Sequence, residues 1–217
     1  MIVTIDGPAG AGKSTIARAL AQRLGFRFLD TGAMYRAVAL AGMQQGLDLT
    51  DAQRLADLAG KLPLRVTEHT VTIGQQDVTR AIRTSEVTAA THFAANNPGV
   101  REHLVKLQRE VAGQDDFVTE GRDQGTVVFP HAECKIYLTA SAAERARRRT
   151  RELAARGETT TVDEVLRAQN ERDRSDSSRD VGPLVAADDA IEVSTDGLSP
   201  EEVLDRLEAL VRQRMQP

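Results

Sequence analysis

The fold of this chain is decided by residues 2–20, IVTIDGPAGAGKSTIARAL. A short apolar run is followed by the glycine-rich segment 7–14 and then by a helical pattern. That segment fits G-x-x-x-x-G-K-[ST], the motif of loops that bind the phosphates of a nucleoside triphosphate. Its glycines let backbone N–H groups point inward, and the N-terminus of the following helix adds partial positive charge. Strand, loop and helix in this order predict a phosphate-binding loop, with a chance glycine-rich turn as the alternative.

The residues of this loop carry individual expectations. Lys13 is expected to reach the β- and γ-phosphates, and the Ser14 hydroxyl to hold Mg²⁺. The motif indicates ATP or GTP and leaves the reaction open. The ATP-binding residues that we expect here are Gly7, Pro8, Ala9, Gly10, Ala11, Gly12, Lys13, Ser14 and Thr15.

Composition narrows the class of protein. The chain has 217 residues, 41% hydrophobic and 28% charged, which is ordinary for a globular protein. Its net charge of −4 argues against a nucleic-acid partner. No signal-peptide pattern or long apolar stretch is visible, so we expect a cytoplasmic protein with no membrane partner. The single cysteine, Cys134, excludes an internal disulfide and is expected to be a core residue.

Five apolar runs of strand length recur between helical stretches. Near-continuous apolar runs of this kind predict a parallel sheet with helices on both faces, and ligands then bind at the carboxyl ends of the strands. Asp30 ends the second run and is expected to cap the next helix or to form a hydrogen bond with a ligand of a bound metal. The runs are Ile2–Asp6, Phe26–Asp30, Phe117–Glu120, Lys135–Thr139 and Ile191–Ser194.

Two segments depart from the alternation of strand and helix. Leu64–Thr67 and Val71–Ile73 alternate as a small antiparallel hairpin, which would be an insert at about residues 60–85. Residues 145–179 hold 10 Arg against 7 acidic residues and few large apolar ones. Because two polar helices broken near Gly157 can bury little core, we expect them to form a mobile lid over a charged ligand.

Arginine spacing in this lid favours a phosphate site. Arg145 and Arg149 share one helix face, and Arg172, Asp176 and Arg179 share another. Asp176 between two arginines would stay ionised and hold them in position. A solvated, salt-bridged helix surface is the alternative for both sets. The phosphate loop favours the site, since phosphoryl transfer needs dispersed positive charge and exclusion of water.

The chain resembles the bacterial cytidylate kinases, of the nucleoside monophosphate kinase group, over essentially its whole length. Two stretches are specific to that family, residues 121–130 (GRDQGTVVFP) and residues 171–184 (ERDRSDSSRDVGPL). The others are residues 5–14, 29–36 (LDTGAMYR), 82–84 (IRT) and 98–101 (PGVR).

The resemblance implies a P-loop kinase, an α/β protein with a five-stranded parallel sheet, a small antiparallel insert and a helical lid. Its parts would be a core (about 1–35, 100–147 and 180–217), a nucleoside-monophosphate-binding part (about 36–99) and a lid (about 148–179). It implies that a monomer transfers the ATP γ-phosphoryl group to CMP or dCMP with Mg²⁺, giving CDP or dCDP and ADP. Two alternatives remain open, a kinase for another small acceptor and a nucleotide-hydrolysing switch.

The resemblance also assigns roles by position. Arg101 and Asp123 would read the cytosine, which offers an amino donor that a carboxylate can accept. His92 departs from the family, which usually has a serine that touches the base there, and Thr91 could supply that contact instead. The other matches are Arg36, Arg122 and Arg179 for the monophosphate, Arg172 and Asp176 for the sugar, Thr31 and Tyr35 for the substrate, Arg145 and Arg149 for the ATP side, and Lys13, Arg122, Arg149 and Arg179 for catalysis.

Overall fold

The computed structural model describes residues 1–155 and 157–215. Eight strands lie in this part of the chain: β1 (Ile2–Asp6), β2 (Arg27–Asp30), β3 (Leu64–Val66), β4 (Val71–Ile73), β5 (Gln76–Asp77), β6 (Phe117–Glu120), β7 (Cys134–Thr139) and β8 (Ile191–Ser194). The helices are α1 (Lys13–Leu24), α2 (Thr31–Gln44), α3 (Ala52–Lys61), α4 (Ser85–Ala95), α5 (Pro98–Ala112), α6 (Ala142–Ala155), α7 (Val162–Ser177) and α8 (Pro200–Met215).

The predicted fold class is confirmed. Five strands form the larger sheet in the order β2-β6-β1-β7-β8, and β1 pairs in parallel with both β6 and β7. Each of the five strands lies within one residue of its predicted position. The insert differs from the prediction, because β5 adds a third strand to the expected antiparallel hairpin. A two-residue strand is too short to leave an alternating pattern in the sequence.

The chain divides into two compact units, residues 1–26 with 117–217, and residues 27–116. They are called the loop unit and the insert unit. The three-part division into core, monophosphate-binding part and lid stays a prediction. Within the described residues, no helix combines the length and the apolar character needed to cross a membrane.

The loop unit is built on strands β1, β6, β7 and β8. Fully buried β-branched and leucine side chains such as Val3, Ile5 and Leu138 fill its core. Cys134 lies in the same core, 1% exposed, which matches the expectation for a small core residue. Helices α1 and α8 pack against each other, and α6 packs against α7. Ser199 begins α8 with reciprocal hydrogen bonds to Glu202, a capping box that satisfies N–H groups of the first turn.

The insert unit holds α2 to α5 and the three-stranded sheet. Asp30 is the N-cap of α2, because one carboxylate oxygen accepts the Ala33 N–H at 2.9 Å. Its other oxygen pairs with Arg83 at 3.0 Å. The expectation that Asp30 caps this helix is met by both the position and the hydrogen bond.

Candidate active site

The phosphate loop begins where β1 ends. Gly7 has φ 145°, and a Cβ atom there would lie 2.1 Å from the carbonyl oxygen of Leu138. Only glycine fits, because both the backbone conformation and the neighbouring strand exclude a side chain. The chain then curls back, and Lys13 Nζ donates to the Pro8 carbonyl at 2.7 Å. The predicted order of strand, loop and helix is therefore present, and α1 starts at Lys13.

Two oxygen groups that suit Mg²⁺ meet beside this loop. The Ser14 hydroxyl donates to Glu120 Oε1 at 2.8 Å, and Glu120 ends β6. Hydroxyl and carboxylate oxygens are the ligands that Mg²⁺ prefers, and kinases complete its shell with phosphate oxygens and water. The described residues hold no cluster of three or more His, Cys, Asp or Glu that could hold a metal alone. The oxygen atoms of Ser14 and Glu120 suit a divalent cation that takes its remaining ligands from phosphate and water.

The ammonium group of Lys13 lies in a buried, positively charged environment. Burial is the largest cause that lowers its pKa to about 7, and the charges of Arg122 and Arg172 lower it further. Glu120 and Asp6 act in the opposite direction. A bound polyphosphate would raise the pKa again, because negative charge favours the ammonium form.

Asp176 joins two arginines into one buried cluster. Its Oδ2 accepts from Arg122 Nε at 2.8 Å, and its Oδ1 accepts from Arg179. The Asp176 side chain is 4% exposed. Burial alone would raise its pKa, but Arg122 and Arg179 outweigh burial and hold it below its usual value. Asp176 lies between two arginines as expected, but they are Arg122 and Arg179, and Arg179 lies two residues beyond the end of α7, so helix spacing does not account for the contact.

Arg145 and Arg149 have different surroundings although they share a helix face. Arg145 is buried, and its guanidinium donates to the carbonyls of Ala9 (2.7 Å) and Ala140 (3.1 Å). It also pairs with Asp173 of α7 at 2.7 Å. Arg149 instead pairs with Glu152 at 3.0 Å on a half-exposed surface. Arg145 of α6 therefore links the phosphate loop to α7, while Arg149 pairs within α6 on a half-exposed surface.

Asp123 is buried at the start of an unusual turn. It is 4% exposed and immediately precedes a π-helical turn, Gln124–Val128. Turns of this kind are frequent at functional sites. The Asp123 carbonyl accepts from the N–H groups of Val127 (2.9 Å) and Val128 (3.2 Å). The backbone that carries its carboxylate is therefore fixed.

The remaining expected residues lie in the insert unit. Thr31 and Tyr35 are buried on α2, and Arg36 is half-buried there. Arg101 of α5 is 3% exposed and lies over the Tyr35 ring, with 5.7 Å from its guanidinium carbon to the ring centroid. Such a contact orients the arginine and contributes on the order of 1–2 kcal/mol when it is shielded from water.

His92 and Thr91 face different surroundings. The His92 Nδ1 atom lies 2.6 Å from the Ala89 carbonyl oxygen, in an exposed position. Thr91 is buried, and its hydroxyl donates to the Val87 carbonyl at 2.7 Å. Both side chains therefore engage their own helix, α4, and the base contact of either stays a prediction.

Sequence reasoning missed three acidic residues of this site. Glu120 meets Ser14, Asp173 meets Arg145, and Asp6 accepts two backbone N–H groups of the π-helical turn. Asp6 and Glu120 end adjacent parallel strands, where Ile5 pairs with Glu120, so the strand-end rule that located the loop could have found both. Asp173 carries no such signal, because a charge on a polar helix is usually a solvated one.

Comparison with known proteins gives a consistent result. A family model described as cytidylate kinase matches residues 3–213. The chain is 53% identical to a cytidylate kinase of Rhodopirellula baltica, over 100% of this chain and 94% of that protein. It is 47% identical to one of Geobacter sulfurreducens, over 99% and 94%. A solved shikimate kinase from Bacteroides thetaiotaomicron has a TM-score of 0.52 at 15% identity, over 98% of each chain, and supports the fold alone.

Proposed function

The chain belongs to the cytidylate kinase family, and we propose that it transfers the γ-phosphoryl group of ATP to CMP or dCMP, giving CDP or dCDP and ADP. One observation in the loop unit supports this most directly. The charges of Arg122 and Arg172 act on Lys13, and Asp176 holds Arg122 and Arg179 in the same cluster. A concentration of cations beside a phosphate loop suits the crowded phosphates of two nucleotides.

The reaction requires positioning and charge, without a dedicated base. The attacking oxygen belongs to a monophosphate and is already anionic, so no proton must be removed before transfer. We propose that four cationic residues stabilise the negative charge that develops on the transferred phosphoryl group: Lys13, Arg122, Arg149 and Arg179. Asp176 keeps two of these guanidinium groups oriented, which lowers the reorganisation needed in the transition state.

Lys13 fits this role only when the nucleotide is bound. In the free chain its pKa is lowered to about 7, mainly by burial, so much of it is neutral at physiological pH. The β- and γ-phosphates would restore the ammonium form. ATP binding is then coupled to proton uptake by the lysine that contacts the transferred group.

We assign Mg²⁺ to Ser14, with Glu120 as a partner that the loop sequence did not indicate. Their oxygen atoms meet at 2.8 Å and match the preference of this cation. When bound, the ion would neutralise charge on the β- and γ-phosphates. Glu120 would accept the hydrogen of the Ser14 hydroxyl, whose oxygen could then bind the ion.

Base selection follows from the chemistry of Asp123. Its carboxylate can accept a hydrogen bond from the cytosine N4 amino group. Uracil has a carbonyl oxygen at that position, which cannot donate a hydrogen bond to the carboxylate. A hydrogen bond to a charged group contributes about 1.5–3 kcal/mol. We therefore propose a preference for CMP and dCMP over UMP of at least roughly tenfold.

The other assignments stay proposals that rest on the family. Arg101, Arg36, Thr31 and Tyr35 would bind the acceptor nucleotide. Arg172 would contact its sugar together with Asp176, and Arg145 would face the ATP side while it anchors the loop. The helices α6 and α7 would act as the lid, and a monomer in the cytoplasm is the expected form, which gel filtration and cell fractionation would test.

An ADP-release assay tests the function. ATP and Mg²⁺ are supplied with CMP, dCMP, UMP, AMP, GMP or shikimate, together with a control that lacks any acceptor. We expect turnover with CMP and dCMP and little with the others. Equal rates without an acceptor would support a hydrolytic switch, and a preference for another acceptor would overturn the proposal. Asp123→Asn should reduce the ratio of CMP to UMP turnover toward one, since an amide can serve either base.

A further inference from the structure

Asp6 is a buried carboxylate that the assigned roles leave unused. It is the last residue of β1 and is 5% exposed. Its Oδ1 accepts the Gln124 N–H at 2.9 Å, and its Oδ2 accepts the Gly125 N–H at 2.7 Å. Hydrogen bonds from backbone N–H groups to an ionised carboxylate are among the stronger ones in proteins. Both carboxylate oxygens of Asp6, at the end of β1, therefore hold the turn that follows β6.

The turn held by Asp6 is the one that carries Asp123. Gln124 and Gly125 are its first two residues, and Asp123 directly precedes them. A Cβ atom at Gly125 would also lie 3.0 Å from the Thr4 hydroxyl and 3.3 Å from Lys135 Cδ, so the turn lies close against the sheet. The turn is thus held by the Asp6 carboxylate and packed on side chains of β1 and β7, and it cannot shift without breaking one of these contacts.

We propose that Asp6 is a positioning residue for base selection, which holds the π-helical turn so that the Asp123 carboxylate meets the cytosine amino group. The inference rests on the proposed role of Asp123. It makes a prediction that a purely structural role does not make. A residue that only supports the fold would affect all acceptors alike, whereas a residue that positions Asp123 would affect CMP more than UMP.

The charge state of Asp6 gives this role a pH dependence. Three ionisable groups face it: Lys13 from α1, Asp123 from the turn and Tyr137 from β7. Burial is the main cause that raises the pKa of Asp6 to about 6, against the lowering effect of the Gly125 and Gln124 N–H groups. A protonated carboxyl loses one of its two acceptors, so one of those N–H groups loses its partner below this pH.

The experiment compares the ratio of kcat/KM for CMP to kcat/KM for UMP across pH 5–8. The second ionisation of the acceptor phosphate, with a pKa near 6, affects both nucleotides alike and cancels in this ratio. In the wild type we expect the ratio to fall by about tenfold as the pH drops through 6. In Asp6→Asn we expect a low ratio that is independent of pH, with kcat/KM for CMP reduced by about ten- to a hundredfold and that for UMP nearly unchanged.

Asp48→Asn is the matched control. Asp48 also accepts from a backbone N–H, that of Thr50 at 2.9 Å, but lies on the surface of the insert unit. Its substitution should leave the ratio and its pH dependence as in the wild type. Equal losses toward CMP and UMP in Asp6→Asn, or a wild-type ratio that is constant from pH 5 to 8, would overturn the inference. The second criterion applies even if Asp6→Asn does not fold.

Failure of the underlying proposal would be recognised separately. A wild type without a preference for CMP at pH 8, or an Asp123→Asn variant that keeps the preference, would refute the role of Asp123 and with it this inference. If Asp123→Asn removes the preference and Asp6→Asn keeps both the preference and its pH dependence, only the role of Asp6 is refuted.

Discussion

Replacing Asp176 by Asn removes the charge at the centre of the arginine cluster without changing its shape. The side chain is 4% exposed and lies between Arg122 and Arg179, whose side chains are 17% and 9% exposed. Asn accepts hydrogen bonds with one oxygen only, so one arginine loses its hydrogen bond to this side chain. Two guanidinium groups would then face each other with little water to screen them.

The expected loss of stability in Asp176→Asn follows from this burial. Removing one partner of a buried ion pair costs about 3–5 kcal/mol, and the isosteric Asn that keeps one hydrogen bond places the expected loss near 3 kcal/mol. One kcal/mol corresponds to roughly 2–4 °C in Tm for a chain of this size, so Tm should fall by about 6–12 °C. The pKa of Asp176 is held below its usual value, so this stabilisation is present above about pH 4 and is lost as the pH falls through its lowered pKa.

Thermal unfolding at pH 7.5 measures the effect, with and without inorganic sulfate. Loss of the Asp176 charge makes the cluster of Arg122 and Arg179 more positive in Asp176→Asn, so sulfate should raise the Tm of the variant by several degrees more than that of the wild type. Glu152→Gln is the control, because Glu152 forms a surface pair with Arg149 at 3.0 Å. Such a pair contributes about 0–1 kcal/mol, and its loss should change Tm by less than about 4 °C.

Two results would refute this reasoning about Asp176. One is a Tm of Asp176→Asn within about 2 °C of the wild type, since a buried pair would then contribute no more than a surface pair. The other is an equal response of variant and wild type to sulfate, since the cluster would then not have become more positive.

Three further predictions concern the loop unit. Gly7→Ala should lower the free energy of unfolding by more than about 4 kcal/mol, because the new Cβ would lie 2.1 Å from the Leu138 carbonyl oxygen. Gly12→Ala, where a Cβ would have no atom within 4 Å, should lower it by only about 1–2 kcal/mol. Urea unfolding measures both losses, and equal losses would contradict the steric argument. Cys134, whose pKa burial raises to about 11, should resist iodoacetamide at pH 8 until urea unfolds the chain, and rapid labelling of the folded protein, followed by mass spectrometry, would disprove its burial. The pKa of Lys13 falls from 10.5 to about 7 on folding. The free energy of unfolding of the wild type, relative to that of Lys13→Met, should therefore rise between pH 7 and 10 and stay level below pH 7. A difference in urea unfolding that is constant across this range would contradict the prediction.

Local patterns sufficed for much of the fold. The five strands of the larger sheet were predictable because a parallel strand buried on both faces leaves a continuous apolar run. The start of α8 was predictable from Ser199 and Glu202, since a capping box is a contact between near neighbours in the chain. The short strand β5 was not, because its two exposed residues are ordered by pairing with β4 and not by their own pattern.

The phosphate loop, the strand ends beside it and the family could be inferred from the sequence, because each depends on residues that are close together in the chain. The contacts of the charged side chains near that loop depend on the tertiary structure. Arg145 and Arg149 have equivalent helical spacing, yet packing of α7 against α6 buries the first beside Asp173 and leaves the second half-exposed. The contact of Asp6 with the π-helical turn joins residues 118 and 119 positions apart. Burial and partners set the charge state and orientation of an ionisable group, and both depend on parts of the chain that its own sequence neighbourhood does not contain.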